Sequence, residues 1–304
     1  MKYYSVIAFV GGIALSATAE AVMYTNAIND SSWEASTTVF ECRMEHHVPV
    51  FGRAVFSTRA GEKSHFYLRS HAARFEAGQA AVYAKTPVWR KDESVESLGY
   101  VPVKRGTRPL WLDNRNTEKM LSELNTGKEI EFVRKAWFED QDNASIRLAI
   151  SNIGFRDAYR KYLNCLAGLL PANFDQMRRT ALYFPPGTSE EEGLSGRNMN
   201  MLDNILKLVK HDNKIRKFFI DGHTSAPGDR AENLELSKQR AEMVADYLKT
   251  RGVPEEWIMT RWHGERYPVA TNGNSSGRAK NRRVTVRIER VEEVEVLPLS
   301  ASAK

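Results

Sequence analysis

The sequence predicts an α+β protein of two domains: a mostly β domain, barrel or sandwich, followed by an α/β sandwich of βαβαβ type. Two observations carry this. Up to Phe155 the apolar residues keep a period of two between turn signals, as where Ile146, Leu148 and Ile150 alternate with Ser145, Arg147, Ala149 and Ser151. Beyond it, helical periods alternate with short apolar strands. At 304 residues, 42% hydrophobic and 27% charged, the chain has room for two cores and a globular composition.

Taken in order, Met1-Lys2, the apolar run Val6 to Leu15 and the patterns Ala17-Thr18-Ala19 and Ala19-Glu20-Ala21 predict a secretory signal peptide over residues 1–21. The run is shorter than the ~18 residues of a spanning helix, and no cysteine stands at either cleavage point. No later segment is long and apolar enough for a membrane span. Export to the periplasm is therefore expected. The β domain is placed at 22–171, with strands at Thr37 to Met44, Gly52 to Thr58, His65 to Arg69, Ala80 to Thr86, Ser97 to Val103, Glu129 to Phe138 and Ser145 to Ile153. One interior helix, Thr117 to Leu124, has Thr117 as its cap and Gly127 beyond its end. Trp33, Trp89, Trp111 and Trp137 read as core.

Ala158, Tyr162, Cys165, Leu166 and Leu169 share the face of a helix from Phe155 to Leu170, which Pro171 ends. Cys42 and Cys165 are the two cysteines, and in an oxidising compartment such a pair predicts a disulfide. The second domain, 180–290, starts with a strand at Ala181 to Phe184 and a stiff Pro185-Pro186-Gly187 loop. A helix follows on Leu202, Ile205, Leu206 and Val209. Lys217 to Ile220 is nearly all apolar, which predicts a strand covered on both faces. The next helix is read from an N-cap at Ser237, burying Ala241, Val244, Ala245 and Leu248 and stopping at Gly252 before Pro254. Ile258 to His263 and Val284 to Ile288 supply further strands, and 291–304 reads as a disordered tail.

A net charge of +6 and a pI near 9.2 point to an anionic partner: nucleic acid, a membrane surface or an acidic cell-wall polymer. The signal peptide selects the cell envelope and excludes nucleic acid. Arg240, read in the first turn of the helix from Ser237, would add its guanidinium to the helix N-terminus, so that a carboxylate meets both. Thr224, Ser225 and Asn233 supply neutral donors and acceptors nearby. A second cluster, Arg278, Lys280, Arg282, Arg283 and Arg287, sits with Gly273 and Gly277, which suit tight turns and close approach of a ligand. The competing readings are an Arg240 paired with a neighbouring glutamate on a solvated helix face and, for the second cluster, a solvated basic loop. No catalytic residue, cofactor or metal is read: His46-His47 lacks zinc spacing, and Asp221 with His223 has no nucleophile in a G-x-S-x-G turn.

Ile220-Asp221-Gly222-His223-Thr224, Asn233, Leu236-Ser237, Arg240-Ala241, Gly252-Val253, His263-Gly264-Glu265, Pro268-Val269-Ala270, Asn272, Gly277-Arg278 and Asn281-Arg282-Arg283-Val284 resemble the OmpA C-terminal-like peptidoglycan-binding domain. The resemblance runs from Thr180 to Arg290. It implies non-covalent binding of the diaminopimelate stem peptide of peptidoglycan, with Arg240 on the carboxylate and Thr224, Asn233, Arg282 and Arg283 at further contact positions. Ser225 stands where many members carry an aspartate for the ligand's ammonium; Asp229 and Asp221 are the acids considered as substitutes. In the first domain Trp33-Glu34, Glu41-Cys42, His47-x-Pro49, Phe51-Gly52-x-Ala54-Val55-Phe56-Ser57 and Arg59-Ala60 resemble the N-terminal domain of the MotY family of flagellar motor proteins. That implies a disulfide-bonded β structure at the flagellar basal body, beside the stator proteins, and a part in motility and stator assembly. The alternatives are a general cell-wall anchor unrelated to flagella and, in a different class, a cell-wall hydrolase.

Overall fold

The computed structural model describes residues 22–135, 145–188, 194 and 196–291. The expected signal peptide, Trp137 and the tail from residue 292 lie outside the described residues. The chain divides into two compact units, one of residues 1–36, 43–57 and 64–162, the other of residues 37–42, 58–63 and 163–304.

The first half of the chain carries β1 (Val22–Tyr24), β2 (Trp33–Thr37), β3 (Glu41–Val48), β4 (Gly52–Arg59), β5 (His65–Ser70), β6 (Gly78–Lys85), β7 (Val95–Val103), β8 (Trp111–Leu112), helix α1 (Asn114–Thr126), β9 (Glu129–Lys135) and β10 (Ser145–Ile150). They form two five-stranded sheets, β1-β10-β9-β6-β7 and β2-β3-β4-β5-β8. Phe66 of β5 stacks on Phe132 of β9 at 5.7 Å, so the sheets face each other as a sandwich. The alternating segments expected as strands appear with two exceptions: Thr37 to Met44 is broken after Thr37, where β2 ends, and resumes as β3 at Glu41, and the last three residues of Glu129 to Phe138 lie outside the described residues. β1, β2 and β8 went unread because so few residues show no period.

The cap of α1 differs from expectation. Asp113 is the N-cap and accepts from the Asn116 amide, while Thr117 is buried a turn later. An aspartate ahead of the first turn answers its free N–H groups better than a threonine inside it. Gly127, at φ 96°, closes the C-terminus. Two of the tryptophans expected in the core are on the surface: Trp89 is 48% and Trp111 58% exposed, the latter stacked on His65 at 4.3 Å. Trp33 is partly buried, donates to the Ser151 carbonyl and stacks on His46. His46 is fully buried and its pKa is lowered to about 4, mainly by burial. In the neutral ring Nδ1 donates to the Ser32 carbonyl and Nε2 accepts the Ser151 amide, so both nitrogens serve the core.

Helix α2 (Phe155–Gly168) and the short α3 (Phe174–Met177) lead into β11 (Arg179–Tyr183), α4 (Gly196–His211), β12 (Ile215–His223), α5 (Arg230–Lys249), β13 (Ile258–Trp262), α6 (Ser275–Asn281) and β14 (Arg283–Arg290). The sheet order is β11-β14-β12-β13, with β12 and β13 parallel. Leu202, Ile205 and Leu208 of α4 and Ala241, Val244 and Leu248 of α5 join Phe218, Ile220, Val284 and Val286 in one buried core. Contrary to the sequence reading, among the described residues helices cover β12 on one face only. Phe219, on the other face, lies under the guanidinium groups of Arg287 at 4.2 Å and Arg261 at 5.6 Å. Those side chains do the work of an apolar layer while keeping their charge near water.

Cys42 and Cys165 form the expected disulfide, across a separation of 123 residues and with Cα atoms 5.7 Å apart. Both belong to the second compact unit, because Thr37–Cys42 and Thr58–Lys63 group with it. There Leu170 donates its amide to Val39, and the Asn173 side chain donates to the Ala60 carbonyl and to Glu62. Replacing both cysteines with alanine is expected to cost this unit about 4–5 kcal/mol, read from its denaturant midpoint; an unchanged midpoint would show that packing alone holds these segments.

Candidate functional site

The C-terminal ends of β12 and β13, the inner face of α5 and the loop before α4 converge on one place. Gly222 makes this possible: a Cβ there would fall 2.0 Å from the Ser237 carbonyl oxygen, so only glycine lets α5 lie this close to β12. Asn233, Ser237 and Arg240 follow at helical spacings of four and three along that face of α5, and all are buried. The Ser237 hydroxyl donates to the Leu234 carbonyl and accepts the Gly264 amide. Gly264 in turn accepts the Thr224 amide at 2.8 Å.

These contacts correct the reading of α5. The helix starts at Arg230, not at Ser237, and its N-cap is Asp229, which accepts the Ala231 and Glu232 amides at 2.7 and 3.1 Å. Arg240 is therefore in mid-helix, and the helix N-terminus is already satisfied by a carboxylate of the protein. Its surroundings replace the expected dipole. Arg240 is 0% exposed; Nε donates to the Thr188 carbonyl at 2.8 Å, Nη2 to the Pro185 carbonyl at 3.0 Å, and the guanidinium lies 5.3 Å from the Phe184 ring. Nη1 is buried and has no partner among the described residues, and the same is true of the Thr224 hydroxyl. Leaving such groups unsatisfied costs on the order of 1–3 kcal/mol each.

The electrostatics agree. Burial first, and Arg282 second, lower the Arg240 pKa to about 10, and burial also lowers Arg282. Arg282 donates to the Phe184 carbonyl beside Arg240. Its neighbour Arg283 leaves on the opposite side of β14, in register with His223, and donates to the Tyr267 carbonyl. The arginine pair thus divides between the two faces of the sheet. Gly277 lies inside α6, where a Cβ would meet the Thr271 carbonyl, so the close approach expected for a ligand is made by the protein's own loop. Asn281, unremarked in the sequence beyond its motif, holds that loop through Val269, Ala270 and Asn272, and Asn272 accepts the Ala226 amide next to Ser225.

Neither acid considered as a substitute for the ammonium partner is free. Asp229 caps α5, while Asp221 is bonded by Arg261 at 2.7 and 3.0 Å and by His263 at 3.0 Å. Ser225 is partly buried. The carboxylate that sequence reasoning passed over is Glu265, which accepts from the Asn233 side chain at 2.8 Å. Its adjacency to Gly264 in the sequence was the available signal.

A model of the MotY N-terminal domain matches residues 24–171, and one of the OmpA family matches residues 183–282. The sodium-type flagellar protein MotY of Vibrio parahaemolyticus is 30% identical over 296 residues, 91% of this chain and 95% of its own. The chain belongs to the MotY family. The resemblances read from both halves are thereby confirmed at family level. The peptidoglycan-binding protein ArfA of Mycobacterium tuberculosis is 48% identical over 67 residues, 22% of this chain and 21% of its own. The C-terminal domain of MotB from Helicobacter pylori aligns with a TM-score of 0.33 at 20% identity, covering 37% of this chain and 85% of that one.

His223, on the sheet face opposite α5, has a pKa lowered from 6.5 to about 4 by burial, with Arg283 and His263 adding to it. The unfolded chain therefore takes up a proton that the folded chain refuses. Stability from this group is complete above pH 6.5 and is lost as pH falls from there to about 4. A pH series of thermal melts should show His223→Gln flattening the acid limb; an unchanged limb would assign it to other groups.

Proposed function

We propose that this protein is a non-catalytic flagellar motor component of the periplasm. Its OmpA-family domain binds peptidoglycan through diaminopimelate stem peptides, and its N-terminal domain associates with the basal body and supports stator assembly. Membership of the MotY family supports the motor setting, and the relatives are flagellar and peptidoglycan-binding proteins by name rather than enzymes. No helix among the described residues is long and apolar enough to cross a membrane. For the wall contact the supporting observation is the pair of buried atoms without a partner among the described residues, Arg240 Nη1 and Thr224 Oγ1. A carboxylate accepts from a guanidinium N–H and from a hydroxyl alike, and it would offset the repulsion that Arg282 exerts on Arg240.

Thr224→Val separates ligand binding from folding. Removing an unsatisfied buried hydroxyl should raise stability by about 1 kcal/mol while weakening retention on purified peptidoglycan several-fold. Weaker retention with lower stability would point to damage instead. Arg240→Ala should weaken retention by about 1.5–3 kcal/mol, with folding followed by near-ultraviolet circular dichroism. For the motor role, a deletion strain should lose motility and stator placement in swimming and fluorescence assays. Normal swimming with normally placed stators favours the general wall anchor.

A further inference from the structure

We infer that Glu265 receives the ammonium of the diaminopimelate head group whose carboxylate Arg240 holds, the task for which Ser225 has no charge. This rests on the peptidoglycan reading of the pocket and adds the residue that selects an amino-acid head group over a plain carboxylate.

The first argument is position. Glu265 follows Gly264, whose carbonyl takes the Thr224 amide and whose amide reaches Ser237, so it sits on the segment that closes the pocket. Its carboxylate is fixed over α5 by the Asn233 side chain. Asn233 and Arg240 are seven residues apart on the same stripe of α5, a rise of roughly 10 Å. Side chains on a helix lean toward its N-terminus, so the long arginine covers part of that span. A ligand carrying a carboxylate and an ammonium on one carbon then meets a cation and an anion in turn.

The second argument is availability. Glu265 is partly buried and makes no ion pair among the described residues, in contrast to Asp221 and Asp229. Glu232 lies off the stripe, exposed in the first turn of α5. Around Arg240, Arg282 and the Thr224 hydroxyl, Glu265 is thus the uncommitted carboxylate that the described residues place at the rim. A carboxylate held there by a neutral amide keeps its charge for an incoming cation.

Calorimetric titration of the full chain with meso-diaminopimelate and with pimelate, which has the carboxylates but no ammonium, tests this. Glu265→Gln keeps an acceptor for Asn233, so the pocket stays built. It should weaken diaminopimelate about tenfold and pimelate less than twofold. Adding Ser225→Asp to that variant should restore the preference. Undiminished diaminopimelate affinity in Glu265→Gln, or equal loss for both compounds, overturns the assignment while leaving the pocket reading intact. Wild-type protein that binds neither compound overturns the pocket reading and this inference with it.

Discussion

The second domain is held in its working form by what happens around Ser237. That buried hydroxyl accepts the Gly264 amide, and the Gly264 carbonyl accepts Thr224, so one short chain of hydrogen bonds joins the middle of α5 to the ends of β12 and β13. Gly222 beneath it removes the side chain that would push helix and strand apart. Every candidate ligand contact on the helix side of the sheet takes its place from this junction. Without it, Thr224 just past the end of β12 would be parted from Asn233 and Arg240 on α5.

Among the described residues the site concentrates positive charge without a counter-ion inside the pocket. Burial and Arg282 lower the Arg240 pKa, burial and Arg278 lower that of Arg282, and both arginines spend donors on backbone carbonyls of the Phe184 to Thr188 segment. Carbonyl dipoles satisfy N–H groups but do not cancel charge, so the pocket keeps an electrostatic demand after its geometry is fixed. On the far face of the sheet Asp221 absorbs Arg261 and His263, and Arg287 turns to Glu289. The two faces use the same residue types to opposite ends.

Much of the fold was legible because backbone periods are local. The longer β segments, α2 and the strands of the second domain follow from alternation and helical spacing. The start of α5 was not, although Asp229 with Glu232 three residues on is itself a capping pattern. Ser237 drew the assignment away because serine caps and serine bridges look alike until the partner, Gly264, is in place. The identities of Thr224, Asn233 and Arg240 were visible in the motifs. Depth was not: that Arg240 is sealed from solvent, or that Arg282 and Arg283 part company, depends on which side of β14 each one leaves. The tryptophans failed for a related reason, since hydrophobicity alone does not tell a core ring from one stacked on a surface histidine.

The disulfide also bears on how the molecule is made. Cys42 lies in a segment that belongs with the second unit, yet 123 residues separate it from Cys165. A chain synthesised from its N-terminus must carry the first thiol unpaired until most of the β sandwich has emerged. Completion of the second unit is a late, long-range event, the kind of closure that slows folding. A fragment ended between β10 and α2 would carry Cys42 without its mate.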